Sequence, residues 1–345
     1  SPVRRQKGAP PLDLGKARET GVLERLVAMA DVVMMNLSPR TREKYGLDYT
    51  SLRASNPRAI YAVVSGFGER GPEGDRPAMD AVVQARSGLL MALGTERDGV
   101  PFHSEVQLAD YSCAITLFGA IAAALFARAR SGEGQEVSVS LLSAALQLQN
   151  NVLGRFSDEA PWRGELDELI QRARAETWPL ERLDSERERL RPPAKDARYY
   201  GVFLAADVPV AVGAGSPPTV ARLRNLLEAE LGAVLPDDFS AELRVAIRSQ
   251  PASYWEPRLV DANIPFAVVR HVDELFGDPH VVESGLLQEL RHHRLGEYMA
   301  LGAPFEFSET PVSLSGEAPD LGGDTMRILI EAGFSRPEIR QLETK

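Results

Sequence analysis

The stretch that decides the fold runs from residue 108 to residue 142 and reads LADYSCAITLFGAIAAALFARARSGEGQEVSVSLL. Its first part predicts one long helix that is apolar almost all round, and a helix of this kind is expected to be buried. Arg128 and Arg130, followed by Ser131-Gly132, are typical of a helix carbonyl end. QEVSVSLL (135–142) then predicts a strand. A long apolar helix leading into a strand favours an α/β fold.

Two further strands are predicted upstream of this stretch. VVMM (32–35) follows a short amphipathic helix over residues 22–30. AIYAVV (59–64) is apolar and β-branched and lies between turn-forming residues, which is typical of a buried strand. Helix-forming segments, including residues 80–93, separate the strands. The alternation predicts a parallel sheet.

The composition excludes some classes of function. The chain has 345 residues, of which 44% are hydrophobic and 26% charged, so it is an ordinary globular chain with room for about two domains. Its formal net charge of -10 argues against nucleic-acid binding, which needs a basic face. No uninterrupted apolar run reaches the ~18 residues typical of a membrane span, and the basic N-terminus lacks the apolar segment of a signal peptide. We therefore expect neither a nucleic-acid nor a membrane partner.

Cysteine and histidine usage says little about chemistry. Cys113 is the one cysteine, so no intrachain disulfide can form, which fits a reducing compartment and a cytoplasmic location. Because Cys113 lies in an apolar run, a buried inert thiol is favoured over a nucleophile. His292-His293 has no Cys or acidic partner at ligand spacing, so we expect no metal.

The domain organisation follows from a change in composition. Residues 1–154 predict the large domain, and residues 155–197 are charged and rich in proline, as in a linker with one or two solvated helices. Residues 198–295 begin with a hairpin pattern and continue with a helix, which predicts a second, smaller α+β domain. Residues 296–345 are expected to return to the large domain.

The segment SGFGERGP (65–72), taken with its flanks, resembles the family III CoA-transferases. This family includes formyl-CoA transferase, carnitine CoA-transferase and α-methylacyl-CoA racemase. Five segments resemble it in the same order, and the third carries the distinctive pattern small-R-S/T-G-x-G-Q-x-V near its end. They are residues 30–72, 76–94, 108–142, 262–281 and 304–339.

The resemblance implies an architecture. The large domain would be a Rossmann-like CoA-binding domain, and two chains would form an interlocked homodimer. The family begins with a strand–helix–strand unit that holds part of the CoA, and this unit is absent from residues 1–345. Either the unit precedes these residues, or the protein lacks it and its CoA site is incomplete.

Asp110 is the candidate catalytic residue. From the local sequence alone, Asp at a helix start is more often an N-cap than a nucleophile, although the positive end of the helix also favours an ionised carboxylate. Asp110 matches the nucleophile of the family. The resemblance implies that it attacks an acyl-CoA thioester and becomes an aspartyl-CoA thioester by way of mixed anhydrides.

The resemblance also assigns CoA contacts. It places Asn36 and Leu37 at a strand end against the cofactor, and Lys44 at its phosphates, where Arg42 or Arg40 could serve instead. The family pattern thus implies one basic residue in this segment without deciding which.

The resemblance also assigns Gly66, Gly68, Met79 and Asp80 to the expected CoA site. Gly66 and Gly68 would let the backbone approach the thioester, although a simple strand-end turn explains them about as well. Met79 and Asp80 follow. The racemase branch carries His directly before the aspartate that matches Asp80, and Met79 cannot carry a proton, which favours transfer over racemisation.

The expected activity is therefore transfer of CoA between an acyl-CoA and a carboxylic acid. CoA enters as a substrate, and no permanently bound cofactor is expected. Two alternatives stay open, namely a catalytically silent CoA-binding paralogue and a racemase or isomerase of the same superfamily.

Overall fold

A computed structural model of the chain describes residues 15, 17, 21–154, 162–190, 198–294, 296–312 and 322–343. The chain divides into two compact units. The first comprises residues 1–155, 292–294 and 315–345, and the second comprises residues 156–291 and 295–314.

The secondary structure alternates helices and strands in the first half of the chain. The described strands are β1 (Val32–Met35), β2 (Ile60–Ser65), β3 (Glu96–Arg97), β4 (Val100–Pro101), β5 (Glu136–Ser140), β6 (Tyr200–Leu204), β7 (Pro209–Gly213), β8 (Phe266–Val268), β9 (Leu287–His292) and β10 (Gly296–Leu301). The described α-helices are α1 (Val22–Met29), α2 (Pro39–Tyr45), α3 (Tyr49–Ser55), α4 (Asp80–Arg86), α5 (Leu89–Leu93), α6 (Leu108–Ser131), α7 (Leu141–Gln147), α8 (Asn150–Leu153), α9 (Trp162–Ala175), α10 (Leu180–Leu190), α11 (Pro217–Leu231), α12 (Ser240–Ser249), α13 (Ala252–Asp261), α14 (Pro279–Glu283), α15 (Thr325–Glu331) and α16 (Arg336–Glu343).

The first unit is built on a parallel sheet, which confirms the predicted α/β class. The strand order is β1-β2-β5, with Val32 opposite Ile60 and Tyr61 opposite Glu136. Parallel neighbours need a crossover connection. Helices α2 and α3 supply it between β1 and β2, and the segment containing α4 to α6 supplies it between β2 and β5. The carboxyl ends of all three strands therefore lie at one edge of the sheet.

The segment predicted as one helix over residues 80–93 is two helices. Helix α4 ends at Arg86, and α5 begins at Leu89. Gly88 between them has a φ of 80°, a left-handed conformation that interrupts the helix and that glycine adopts without steric cost.

Helix α6 is buried along one side only, so the prediction of burial all round is wrong for a single chain. Its buried residues are Ala109, Cys113, Leu117 and Ala124, which recur at helical spacing. This side packs on β2 and β5. The other side carries large exposed apolar residues: Tyr111, Ile115, Phe118 and Phe126. One sheet face can cover only one side of a helix.

By length and composition, α6 is the one helix among the described residues that could cross a membrane. The core helix of a soluble protein meets the same two criteria. The packing of α6 on a parallel sheet, with Ala62 and Val139 against Cys113 and Leu117, is the environment of a core helix on that side.

The second unit has its own hydrophobic core. The antiparallel sheet β6-β7-β8 packs with α11, α12 and α13, and the fully buried side chains include Trp255, Phe239 and Leu259. Helices α9 and α10 lie in the segment predicted to be a linker, and they pack on each other through Leu169, Ala173 and Leu183.

Candidate active site

A cavity of about 860 Å³ lies at the carboxyl edge of the parallel sheet, entirely within the first unit. Residues that directly follow the strands line it: Asn36 after β1, Gly66 after β2 and Leu141 after β5. Ligands of open α/β sheets bind in this position, because the loops there diverge from the strand ends. The topology therefore accounts for the place of the cavity.

Asp110 lines this cavity from the start of α6. It is the third residue of the helix, and the N-cap residue is Gln107, so the alternative that Asp110 caps the helix is wrong. Asp110 is exposed, which leaves its carboxylate open to a ligand. Partial burial, together with the negative charge of Asp80, raises the pKa of the Asp110 carboxyl above its usual range. A more basic carboxylate is a better nucleophile when ionised.

The start of α6 is capped by a residue from another helix. The Gln107 side chain makes no capping hydrogen bond. Instead, the Oδ1 atom of Asp80, the first residue of α4, accepts hydrogen bonds from the backbone N–H groups of Ala109 (2.8 Å) and Asp110 (3.1 Å). These are amides that an N-cap side chain normally satisfies. Asp80 thus ties α4 to the candidate nucleophile.

This capping limits where an oxyanion could bind. The two amides at the start of α6 already donate to Asp80, so they are not available to a tetrahedral intermediate. Candidate donors for an oxyanion lie in the segment after β2, where Gly66 and Ala78 line the cavity.

The cavity brings together most of the residues predicted for the CoA site. Six of the eight line it, namely Asn36, Leu37, Gly66, Met79, Asp80 and Asp110. Lys44 and Gly68 are not among the lining residues.

Arg42 lines the cavity where the sequence favoured Lys44. Two residues apart on a helix, these side chains point in different directions. Arg42 is buried and forms an ion pair with Glu69, which also lines the cavity, whereas the Lys44 ammonium lies 5.0 Å from the centre of the Tyr45 ring. Within the described part of the chain, the Nε atom of Arg42 has no hydrogen-bond partner.

The glycines after β2 have separate roles. A Cβ atom on Gly66 would lie 2.2 Å from the Cβ atom of Ala78, so the two ends of this loop pack closer than any side chain at residue 66 allows. Gly68 has a φ of 92°, and its N–H donates to the Ser65 hydroxyl, which makes a strand-end turn. Gly68 therefore shapes the loop without lining the cavity.

Cys113 lies one helical turn beyond Asp110 and lines the cavity, although its side chain is buried. Burial and the charge of Asp110 raise the pKa of its thiol to about 11. The thiol is therefore protonated near neutral pH, which is the inert state that the sequence predicted. Among the described residues, no group of three or more His, Cys, Asp or Glu side chains is placed to hold a metal ion.

The sequence missed the polar side chain that supports Asp80. Gln84 is fully buried and donates from Nε2 to Asp80 Oδ2 at 2.5 Å. The spacing of four residues on one helix was the available signal, because residues at i and i+4 lie on the same face.

A family model and curated relatives both match this chain, and both are CoA-transferases. The family described as CoA-transferase family III matches residues 1–325. Among curated relatives, the succinate–glutarate CoA-transferase of Agrobacterium fabrum is 31% identical over 92% of this chain and 76% of its own length. The acetyl-CoA:oxalate CoA-transferase of Acetobacter aceti is 28% identical over 98% of this chain and 82% of its own length.

Solved structures share the fold. A protein of Mycobacterium tuberculosis superposes with a TM-score of 0.71, at 24% identity, over 94% of this chain and 84% of its own. A CAIB/BAIF family protein from Brucella suis has a TM-score of 0.69 at 24% identity, over 95% of this chain and 82% of its own.

Proposed function

The chain belongs to CoA-transferase family III, and on that premise we propose that it moves CoA from an acyl-CoA donor to a carboxylic acid through an aspartyl-CoA thioester on Asp110. The observation that carries this proposal is the position of Asp110, an exposed carboxylate in a cavity at the carboxyl edge of the parallel sheet.

The reaction proceeds in two symmetrical halves. The ionised Asp110 carboxylate attacks the donor thioester carbonyl, and the C–S bond breaks to give a mixed anhydride and the CoA thiolate. The thiolate then attacks the carbonyl carbon of Asp110, which forms aspartyl-CoA and releases the donor as a carboxylate. The acceptor carboxylate attacks this thioester in turn, and the returning thiolate takes up the acceptor acyl group, so that Asp110 is regenerated.

Each step exchanges one carboxylate or thiolate for another, so no proton has to be transferred. Two lining residues agree with this. The Cys113 thiol, whose pKa is raised to about 11, is protonated, and Met79 carries no titratable group. The absence of a proton carrier at residue 79 likewise supports transfer over racemisation.

CoA is a substrate here, and its contacts are part of the proposal. Asn36 and Leu37 at the end of β1 line the cavity and suit the pantetheine arm, and Gly66, Met79 and Asp80 line it from the segment after β2. These five residues would hold the thioester near Asp110.

The phosphates of CoA are assigned to a basic residue of α2. Lys44 is the contact that the family resemblance implies, and Arg42, which lines the cavity, or Arg40 on the same helix would serve in its place. Lys44→Met is expected to raise KM for acyl-CoA without lowering kcat, because a distant phosphate contact binds substrate and transition state alike.

The named activities of the relatives suggest the acids. Those relatives act on succinate, glutarate and oxalate by their names, and the acceptor and donor of this enzyme would be small dicarboxylic acids of the same kind. A panel of their CoA esters and free acids would identify the pair.

The assembly would be a homodimer with a Rossmann-like large domain in each chain. The exposed apolar side of α6 supports this, since Ile115 and Phe118 are 72% and 64% exposed in a single chain and apolar patches of this kind are normally covered. An interlocked second copy would cover them. The low cysteine content supports a cytoplasmic location.

Mass spectrometry after mixing with acyl-CoA tests the proposed function. The wild type is expected to acquire CoA as a thioester on Asp110, which hydroxylamine removes, and Asp110→Asn is expected to acquire none. A silent paralogue would bind CoA resin and form no adduct. A racemase would exchange the α-proton of the acyl group with solvent deuterium, also without an adduct.

A further inference from the structure

Gln84 is a polar side chain with no exposed surface, in the middle of α4. A buried amide is costly unless its donors and acceptor are satisfied. The mechanism described above does not use Gln84 directly, so its place in the core calls for an explanation.

Both ends of the Gln84 amide are hydrogen-bonded. Its Nε2 atom donates to Asp80 Oδ2 at 2.5 Å, and its Oε1 atom accepts from the backbone N–H of Ser104 at 3.2 Å. Only this orientation of the amide works. If the amide were reversed, its oxygen would face the Asp80 carboxylate and its NH2 group would face the N–H of Ser104.

The contact continues to the candidate nucleophile. Asp80 receives Gln84 on Oδ2 and the amides of Ala109 and Asp110 on Oδ1. The segment before α6, the side chain of Gln84, the carboxylate of Asp80 and the backbone of Asp110 thus form one hydrogen-bonded chain.

We propose that Gln84 is a positioning residue for the acyl-transfer reaction, acting through Asp80 to hold the Asp110 carboxylate in its attacking position. This inference rests on the proposed function. Without the donor at Nε2, the Asp80 carboxylate is held only by its two hydrogen bonds from the start of α6, so its orientation and the backbone of Asp110 are less restrained. Misplacing a reacting group by a small distance costs rate and leaves substrate affinity largely unchanged.

The same series of hydrogen bonds holds the negative charge of the Asp80 carboxylate beside Asp110. Acylation turns Asp110 into a neutral thioester, so the repulsion between the two carboxylates is relieved when the intermediate forms. The raised pKa of Asp110 is partly due to this neighbour. Holding Asp80 close therefore favours the intermediate over the free carboxylate.

Few other titratable groups of the described residues face this cluster. Helix α4 packs against α5, α6 and α7, and neither α5 nor α7 has a titratable residue. From α6, Asp110 and Cys113 face the same region. The segment before α6 carries His103 and Glu105. Four further charged residues line the cavity with Asp80 and Asp110, namely Arg42, Glu69, Asp75 and Arg76.

The test compares Gln84→Met with Gln84→Glu. Methionine is similar in size but cannot donate, so kcat is expected to fall about 10-fold or more, with KM for acyl-CoA unchanged. Protonated glutamic acid can donate to Asp80 and accept from Ser104 as the amide does. Gln84→Glu is therefore expected to recover most of kcat at the low end of a series from about pH 5 to about pH 9, over which a buried paired carboxyl titrates.

Gln149 provides the matched control. It is also a buried glutamine, and it donates to the carbonyl oxygens of Ser87 and Ala145 without touching Asp80. Gln149→Met is expected to lower the thermal stability but to keep kcat. Wild-type kcat in Gln84→Met, an equal loss of kcat in Gln149→Met, or no recovery in Gln84→Glu at any pH would each overturn the proposal.

Two readouts keep the outcome decisive. If Gln84→Met does not fold, the test is the ratio of kcat in Gln84→Glu to kcat in the wild type, measured across the pH series. A ratio that falls as the pH rises supports the proposal. A ratio that stays constant contradicts it. If the wild type forms no adduct on Asp110, the proposed function itself has failed, which is distinct from a failure of Gln84 to matter in an active enzyme.

Discussion

The carboxylate of Asp80 accepts a 3.1 Å hydrogen bond from the backbone N–H of Asp110. Two acidic residues therefore meet at one helix start with different tasks. Asp80 is buried and takes the place of an N-cap, whereas Asp110 is left facing the cavity with a raised pKa. Substitution of one carboxylate at a time can separate the two tasks.

Asp110→Asn is expected to stabilise the protein near neutral pH. Because the folded state raises the pKa of Asp110 above its unfolded value near 3.8, the folded state binds the proton more tightly, and stability is lost as the pH rises through the folded pKa. Asparagine carries no charge, so it avoids this loss. The gain should be less than about 1 kcal/mol, because solvent screens an exposed carboxylate.

Urea unfolding at a series of pH values measures this effect. The wild type and Asp110→Asn should have equal stability below the unfolded pKa and diverge as the pH rises. A constant difference across the series would contradict the assignment of the raised pKa.

Asp80→Asn is expected to move the acid limb of the kcat/KM profile to lower pH. The negative charge of Asp80 is the second cause of the raised Asp110 pKa, after burial, and the substitution removes that charge. The same substitution should lower the maximal rate. Asp80 accepts hydrogen bonds on both oxygens, whereas the NH2 group of asparagine would face a donor, either the NH2 group of Gln84 or the N–H groups at the start of α6. Asp75→Asn, at another carboxylate of the cavity lining, should leave the limb in place.

Gly66→Ala is expected to cost about 1–3 kcal/mol of stability, since the added Cβ would overlap Ala78 in a packed loop. Displacement of Ala78 would also move Asp80 two residues on, so kcat should fall. Gly164→Ala in α9 is the control. Its Cβ would meet nothing within 4 Å, and alanine should stabilise that helix by up to about 1 kcal/mol. Similar losses in both variants would argue against a role for the close approach.

Ile115→Glu is expected to convert a dimer to monomers or to prevent folding, because it places a charge in the side of α6 that a second copy would cover. Val245→Glu introduces the same charge at a site that is equally exposed, 70% against 72%, on α12 of the second unit. Size-exclusion chromatography with light scattering measures the mass of both. A wild-type monomer, or an Ile115→Glu dimer, would exclude α6 from the interface.

The sequence by itself determined the local elements and the candidate nucleophile. The spacing of apolar residues and the positions of turn residues predict β1, β2, β5 and α6, because these signals are local in the sequence. The order of the motifs around Asp110 indicates the family. Tertiary structure decided what surrounds Asp110. In the folded chain, Arg42 rather than Lys44 lines the cavity, and Asp80 caps the start of α6. Gln84 in turn donates a hydrogen bond to Asp80. These contacts join residues about 20 to 30 positions apart in the chain. Arg42 and Glu69 meet because parallel strands bring their carboxyl ends to one edge, and the contacts of Asp80 and Gln84 form because α4 packs against α6 within the crossover from β2 to β5.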